Sequence, residues 1–128
     1  MANIKYFEDS EAWQTARKLA QSVYSTTNRR PFSQDFGLVD QTRRAVVSIM
    51  SNIAEGFESQ TDKTFIRFLS IAKASAGELR SQLYVALDQK YISEQDFRSL
   101  IELCLSISRQ TSRFMQYLES SKFKNSTA

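Results

Sequence analysis

Histidine is absent from this 128-residue chain, and cysteine, proline and glycine are scarce, with one, one and three residues respectively. Without histidine, the most common general base and the usual zinc and di-iron ligand sets are missing. A single cysteine excludes an internal disulfide and a cysteine-based metal cluster. So few glycines and prolines cannot supply the many turns of a β-rich fold. The sequence therefore predicts no enzyme, no cofactor and no metal site, and it favours long helices.

Long apolar runs are also missing, since no segment approaches the about 18 residues that span a bilayer, and the N-terminus lacks a signal-peptide core. We therefore expect a cytoplasmic protein with no membrane partner, and no small-molecule substrate is evident. Seventeen Lys and Arg oppose fourteen Asp and Glu, giving a net charge of only +3. Bulk charge of this size supports weak binding to nucleic acid at most.

Apolar residues recur at helical spacing in four segments. The clearest segment places seven residues on one face and ends near Gly56, where a residue that tolerates positive φ suits a helix end; the seven are Val39, Thr42, Val46, Ile49, Met50, Ile53 and Phe57. The other predicted helices run from about 9 to 28, from about 61 to 89 and onward from about 93. N-caps are expected at Asp9 or Ser10, at Ser59 or Thr61, and at Ser93 in the capping-box-like segment Ser93-Glu-Gln-Asp96.

Four such helices with short connections pack most simply as an antiparallel up-down bundle. We assign an N-terminal arm to residues 1–8, the four-helix bundle to 9–121 and a disordered tail to 122–128, because the last residues have no apolar periodicity. Several apolar residues on the third and fourth helices lie off the core stripes, and this many favours a subunit interface over surface scatter. The predicted interface residues are Ile71, Val85, Leu103 and Phe114.

The second and third helices carry a resemblance to a known family. It rests on Gln41-Thr-Arg-Arg44, Ser48-Ile-Met-Ser-Asn-Ile-Ala-Glu-Gly56 and Phe65-Ile-Arg-Phe-Leu69, and it extends over roughly residues 6 to 118. This pattern resembles the bacterial four-helix-bundle proteins encoded in intervening sequences of 23S ribosomal RNA genes. The resemblance implies a ring-shaped homo-oligomer, a homopentamer, and no established activity. Met50 stands where that family usually has proline, a residue that would kink the second helix, so the resemblance does not carry the kink over to this chain.

Basic residues are predicted to gather at the two ends of the bundle. One end holds Arg29, Arg30, Arg43 and Arg44 together with Lys90, and the opposite end holds Lys63, Arg67, Arg109, Arg113, Lys122 and Lys124. Arginine forks match phosphate geometry, so the four arginines are the predicted nucleic-acid contact, with RNA or a ribonucleoprotein as partner. Phe32 could stack on a base or act as a hydrophobic staple beneath the loop. The alternative is a protein–protein scaffold in which these charges only keep the assembly soluble.

Three further positions have structural and functional readings. Arg43 lies at the margin of an apolar stripe, where it could rest on Trp13 or Tyr24 or pair with Glu78. Asn52 on the flank of the second helix favours a structural role. Cys104 lies within an apolar stripe, where burial raises a thiol pKa and makes the residue inert.

Overall fold

The computed structural model describes residues 5–127, with side chains as far as residue 120. Four α-helices and two short 3-10 turns, at Phe7–Asp9 and Phe32–Gln34, make up the described range, and no β-strand occurs in it. The helices are α1 Glu11–Thr27, α2 Phe36–Glu58, α3 Asp62–Asp88 and α4 Glu94–Thr127. The all-α prediction is confirmed.

Each helix packs against the next along the chain, and α4 packs back against α1. At one end of the molecule, Arg29 just after α1 contacts Asp96 at the start of α4, at 3.0 Å. Further along, Gln110 of α4 donates to Glu11 at the start of α1, at 2.8 Å. The two helices are therefore antiparallel, as in an up-down four-helix bundle. The ring-shaped assembly stays a prediction.

Side-chain caps begin the helices where the sequence predicts them. A helix start leaves backbone N–H groups without partners, and a hydroxyl or carboxylate at the N-cap accepts from one of them. The predicted caps are formed by Ser10 with the Trp13 amide at 3.4 Å, by Thr61 with the Thr64 amide at 3.2 Å, and by Ser93 with the Asp96 amide at 3.0 Å. These caps set the boundaries of α1, α3 and α4.

The end of α3 is closed by a left-handed residue. Lys90 has a φ of 63°, its N–H donates to the Leu87 carbonyl at 2.9 Å, and the Tyr91 N–H donates to the Ala86 carbonyl at 2.9 Å. This pair of bonds is a Schellman motif, which usually has glycine at the left-handed position. The chain turns sharply here and enters α4 after a short connection.

Gly56 does not have the role that the sequence predicts. No glycine in the described residues has a positive φ, and the helix ends at Glu58 with Ser59 as its cap. A Cβ on Gly56 would lie 2.6 Å from Cδ1 of Phe65. Gly56 therefore permits close packing of α3 against α2, and the prediction that it supplies a left-handed helix stop is wrong.

The core runs the length of the bundle, and aromatic rings fill one end of it. Phe57, Phe65 and Phe114 come from α2, α3 and α4, with ring centroids 4.9 to 5.5 Å apart. Phe114 is only 6% exposed. The prediction that it points outward at a subunit interface is therefore wrong, because its ring is needed to fill the space between three helices.

The division into arm, bundle and tail stays a prediction. The predicted arm includes the 3-10 turn Phe7–Asp9, and residues 1–4 lie outside the described residues. Helix α4 is assigned as far as Thr127, into the segment that the sequence predicts to be a tail, and the side chains of 121–128 lie outside the described residues.

Candidate nucleic-acid interface

The four predicted arginines lie at the end of the bundle where α1 meets α2 and α3 meets α4. The two connections at this end are joined to each other. Phe32 is 1% exposed and stacks on Tyr91 with ring centroids 5.3 Å apart. The Tyr91 hydroxyl donates to the Asp35 carboxylate at 3.0 Å. The loop is therefore braced, and Phe32 serves as a buried staple that is not available to stack on a base.

Asp35 holds this junction from two sides. One of its carboxylate oxygens accepts from the Leu38 amide at 3.2 Å and so caps α2, while the other accepts from Tyr91. The hydrogen bond to Asp35 raises the pKa of the Tyr91 phenol, with desolvation and the nearby negative charge acting in the same direction. A phenol is protonated at neutral pH in any case, and the raised pKa extends to higher pH the range over which Tyr91 ties the two connections together.

Arg43 is held by α1. Its guanidinium carbon lies 4.5 Å from the centroid of the Tyr24 ring, and its Nε donates to the Thr27 hydroxyl at 3.0 Å. Of the partners considered from the sequence, Tyr24 is the one it contacts. A stacked, hydrogen-bonded arginine is less available to an incoming phosphate than an extended one.

Arg29 and Arg44 form surface ion pairs. Arg29 meets Asp96 at 3.0 Å, and Arg44 meets Asp40 at 2.9 Å within α2. The two guanidinium side chains remain 58% and 79% exposed. Pairs this exposed contribute about 0 to 1 kcal/mol to stability, so a competing phosphate can displace the carboxylates.

Arg30 is exposed and makes no ion pair with any described side chain. The structure thus brings the four arginines to one end, but it also places Asp35, Asp40 and Asp96 among them. The pair of Asp40 with Arg44 can be predicted from the sequence, because the two residues are four apart on one helix. The Asp96 pair depends on the helix packing, which the sequence alone does not show.

The four predicted interface residues do not form one face. Ile71 and Val85 are 41% and 46% exposed on α3, and their separation of about four helical turns puts them on similar sides of that helix. Leu103 instead lines a groove between α1 and α4 that also contains Arg29 and Asp96. Val47 of α2, 43% exposed, is an apolar surface residue that the sequence reasoning missed.

Comparison with known proteins shows the family to which the chain belongs. The family model described as 23S rRNA-intervening sequence protein matches residues 8–113. The chain belongs to this family. The resemblance found in the second and third helices is therefore confirmed, and the family description names no reaction.

The fold of this 23S rRNA-intervening sequence family member is similar to a solved structure. That structure is a crystal structure of a protein with unknown function from the S23 ribosomal protein family of Bacteroides thetaiotaomicron, 21% identical, with a TM-score of 0.75. The match covers 81% of this chain and 97% of that chain. At this identity the likeness shows the fold alone. No curated protein matches the chain.

Two features of the family member bear on chemistry: its lone cysteine and its possible metal ligands. Burial raises the pKa of the Cys104 thiol to about 12, so the thiol stays protonated and inert. Among residues 5–120, no three His, Cys, Asp or Glu side chains are grouped so that they could hold a metal ion. In the same part of the chain, every helix is too short or too polar to cross a membrane.

Proposed function

We propose that this chain is a non-enzymatic helical module that binds RNA or a ribonucleoprotein partner through phosphate at the arginine end of the bundle. The observation that carries the proposal is the braced junction of Phe32, Asp35 and Tyr91, which fixes the connection that carries the exposed Arg29 and Arg30. The family description and the S23 ribosomal protein family of the similar structure support a partner that contains ribosomal RNA.

We expect the contact to be electrostatic and to depend on the shape of the RNA, through the positions of its phosphates. Exposed guanidinium groups match phosphate oxygens in a fork geometry. Phe32 is buried, so its ring does not stack on an unpaired base. Because the two connections are tied together by Tyr91 and Asp35, the arginines present a preformed surface, and the partner adapts to it. Binding should be weak and salt-dependent.

Removing the competing carboxylates provides the first test. The variant Asp40→Asn/Asp96→Asn releases Arg44 and Arg29 from their ion pairs, so it should bind a structured RNA more tightly than the wild type. The control Glu55→Gln/Glu58→Gln removes the same charge at the other end of α2, where both residues are exposed. Equal tightening in both variants would show that only net charge matters and would contradict an arginine-end site.

Removing the loop cations provides the converse test. Arg29→Ala/Arg30→Ala should weaken RNA binding and reduce the slope of log K against log salt by about 0.7 to 0.9 per lost phosphate contact. The control Arg17→Ala/Lys18→Ala removes the same charge from the exposed face of α1. A wild type that fails to bind RNA even at low salt would refute the proposed function.

The exposure of Ile71 and Val85 favours a second candidate, a protein–protein scaffold. Their side chains are 41% and 46% exposed, and burying them between copies would stabilise a homo-oligomer, which we expect to be a pentamer. Ile71→Asp should give smaller particles in sedimentation with unchanged helical circular dichroism, whereas Ser70→Asp, an exposed control on the same helix, should not. A wild type that sediments as a monomer at micromolar concentration would contradict this candidate.

A further inference from the structure

The flank of the bundle between α3 and α4 carries a groove lined by cations and hydroxyl groups. Its lining consists of Lys73 from α3 with Ser108, Arg109, Ser112 and Arg113 from α4, around a volume of about 410 Å³. The Lys73 ammonium donates to the Ser112 hydroxyl at 2.7 Å, which leaves two further N–H donors on the ammonium. The groove therefore combines positive charge with free donor capacity.

The charge of this groove differs from that of the other basic grooves. The groove beside Arg29 includes Asp96, the groove beside Arg43 and Arg44 includes Asp40, and the groove beside Arg17 and Lys18 includes Glu8. No carboxylate lines the α3–α4 groove among the described side chains. Its lining therefore has no carboxylate to compete with an incoming anion, unlike the grooves at the arginine end.

The acidic groups near the groove lie outside it. Arg109 meets Glu102 at 3.2 Å, and both side chains are more than half exposed, at 58% and 67%, so this pair is weak. Arg113 also borders a neighbouring cavity that contains Asp9 and Glu11. The positive surface therefore extends along α4 from Arg113 toward Arg109 and across to Lys73, and it ends where α1 begins.

The spacing of the cations suits a chain of phosphates. Arg109 and Arg113 are one helical turn apart, about 6 Å along the axis, on the same side of α4. Lys73 lies on the opposite wall, and the Ser108 and Ser112 hydroxyls of α4 can donate to phosphate oxygens. A strand lying along the groove would place phosphates beside Arg109 and Arg113 on one wall and beside Lys73 on the other.

We propose that the α3–α4 groove binds the phosphate backbone of an RNA strand laid along the two helices. This inference rests on the proposed RNA function and deepens it, because it adds a contact on the flank of the bundle to the contact at its arginine end. The lining cations are assigned to phosphate, so this contact contributes affinity and orientation.

The test uses the full-length chain and a fluorescent RNA hairpin with a single-stranded tail, titrated at several salt concentrations. The groove variant is Lys73→Ala/Arg113→Ala, and its matched control is Lys18→Ala/Arg17→Ala, which removes one lysine and one arginine from α1. If the two lost contacts act through counterion release, the groove variant should lose about 25- to 60-fold in affinity at about 0.1 M salt, and its salt slope should fall by about 1.4 to 1.8. The charge-preserving variant Lys73→Arg/Arg113→Lys should retain most of the affinity.

The possible outcomes separate the two proposals. Equal binding by the groove variant and its control, with weaker binding by Arg29→Ala/Arg30→Ala, would overturn the groove and leave the arginine end in place. Loss in the groove variant alone would support the groove and overturn the arginine end. A wild type that does not bind the hairpin at low salt would overturn both. Circular dichroism checks that each variant remains folded.

Discussion

Two glycines within helices should respond differently to the same substitution. Gly56 lies near the end of α2, where an added Cβ would be 2.6 Å from Cδ1 and 2.9 Å from Cε1 of Phe65. Gly77 lies within α3, and an added Cβ there would meet nothing within 4 Å. Replacing each glycine with alanine compares the intrinsic helix preference of alanine with the cost of a steric contact, in a single protein.

The magnitudes follow from those contacts. Alanine is favoured over glycine inside a helix by up to about 1 kcal/mol, so Gly77→Ala should stabilise the protein by about that amount. At Gly56 the same gain is opposed by a contact about 1 Å shorter than the optimal carbon–carbon separation. Phe65 cannot move away freely, because Phe57 and Phe114 pack on it with ring centroids 4.9 and 5.0 Å away. Overpacking of this kind costs about 1 to 3 kcal/mol, so the two variants should differ by about 1 to 3 kcal/mol.

Urea unfolding followed by circular dichroism, with all proteins at one concentration, measures the difference. The double variant Gly56→Ala/Phe65→Leu then tests the cause, because a smaller side chain at 65 should recover part of the loss and give a non-additive cycle. If Gly56→Ala stabilised the protein as much as Gly77→Ala, the close approach of α3 to α2 at Gly56 would be refuted.

Three further predictions concern the core, the α3 turn and the thiol. Leu69→Ala and Leu83→Ala should each cost about 2 to 5 kcal/mol of unfolding free energy, because both residues are at most 1% exposed; a cost within about 0.5 kcal/mol would contradict their burial. Lys90→Gly should raise the stability by about 1 kcal/mol, since glycine adopts a φ of 63° without the strain of a Cβ; an unchanged midpoint would show that the turn relaxes. Cys104, with its pKa raised to about 12, should react with a disulfide reagent at pH 8 no faster than the bundle opens, and rapid labelling of the native protein would contradict its burial.

The course of the helices was predictable because the relevant information is local. Caps such as Ser10, Thr61 and Ser93 lie within three residues of the amides they accept from, and the apolar spacing indicates which side of each helix faces the core. Gly56 was misread because its requirement comes from Phe65 on another helix. The prediction for Phe114 was wrong because the apolar spacing along α4 does not show which rings of α2 and α3 lie beside it in the core.

The sequence was sufficient to predict where the candidate site lies, but not whether its charged groups are available to a ligand. The order of four antiparallel helices is sufficient to place Arg29 and Arg44 at one end. Whether those charges are available depends on neighbours from other helices, such as Asp96 beside Arg29, and those neighbours are distant in sequence. The groove at Lys73 was missed for the same reason, because Lys73 and Ser112 are brought together only by the packing of α3 against α4.

The seam between α2 and α3 contains a polar contact whose effect is on alignment. The Ser48 and Ser75 hydroxyls are 3.0 Å apart, and Asn52 donates to Ser48 from the next turn of α2. Sliding α3 by one turn would bring Ile71 or Leu79 opposite Ser48 and separate the two hydroxyls, which removes a hydrogen bond worth about 0.5 to 1.5 kcal/mol. Apolar contacts between leucines and alanines can form in several relative positions of two helices, whereas this hydroxyl pair forms in only one. The serine pair thus favours the native alignment of α2 and α3 over shifted alignments during folding, even if the bond itself adds little to the stability of the native state.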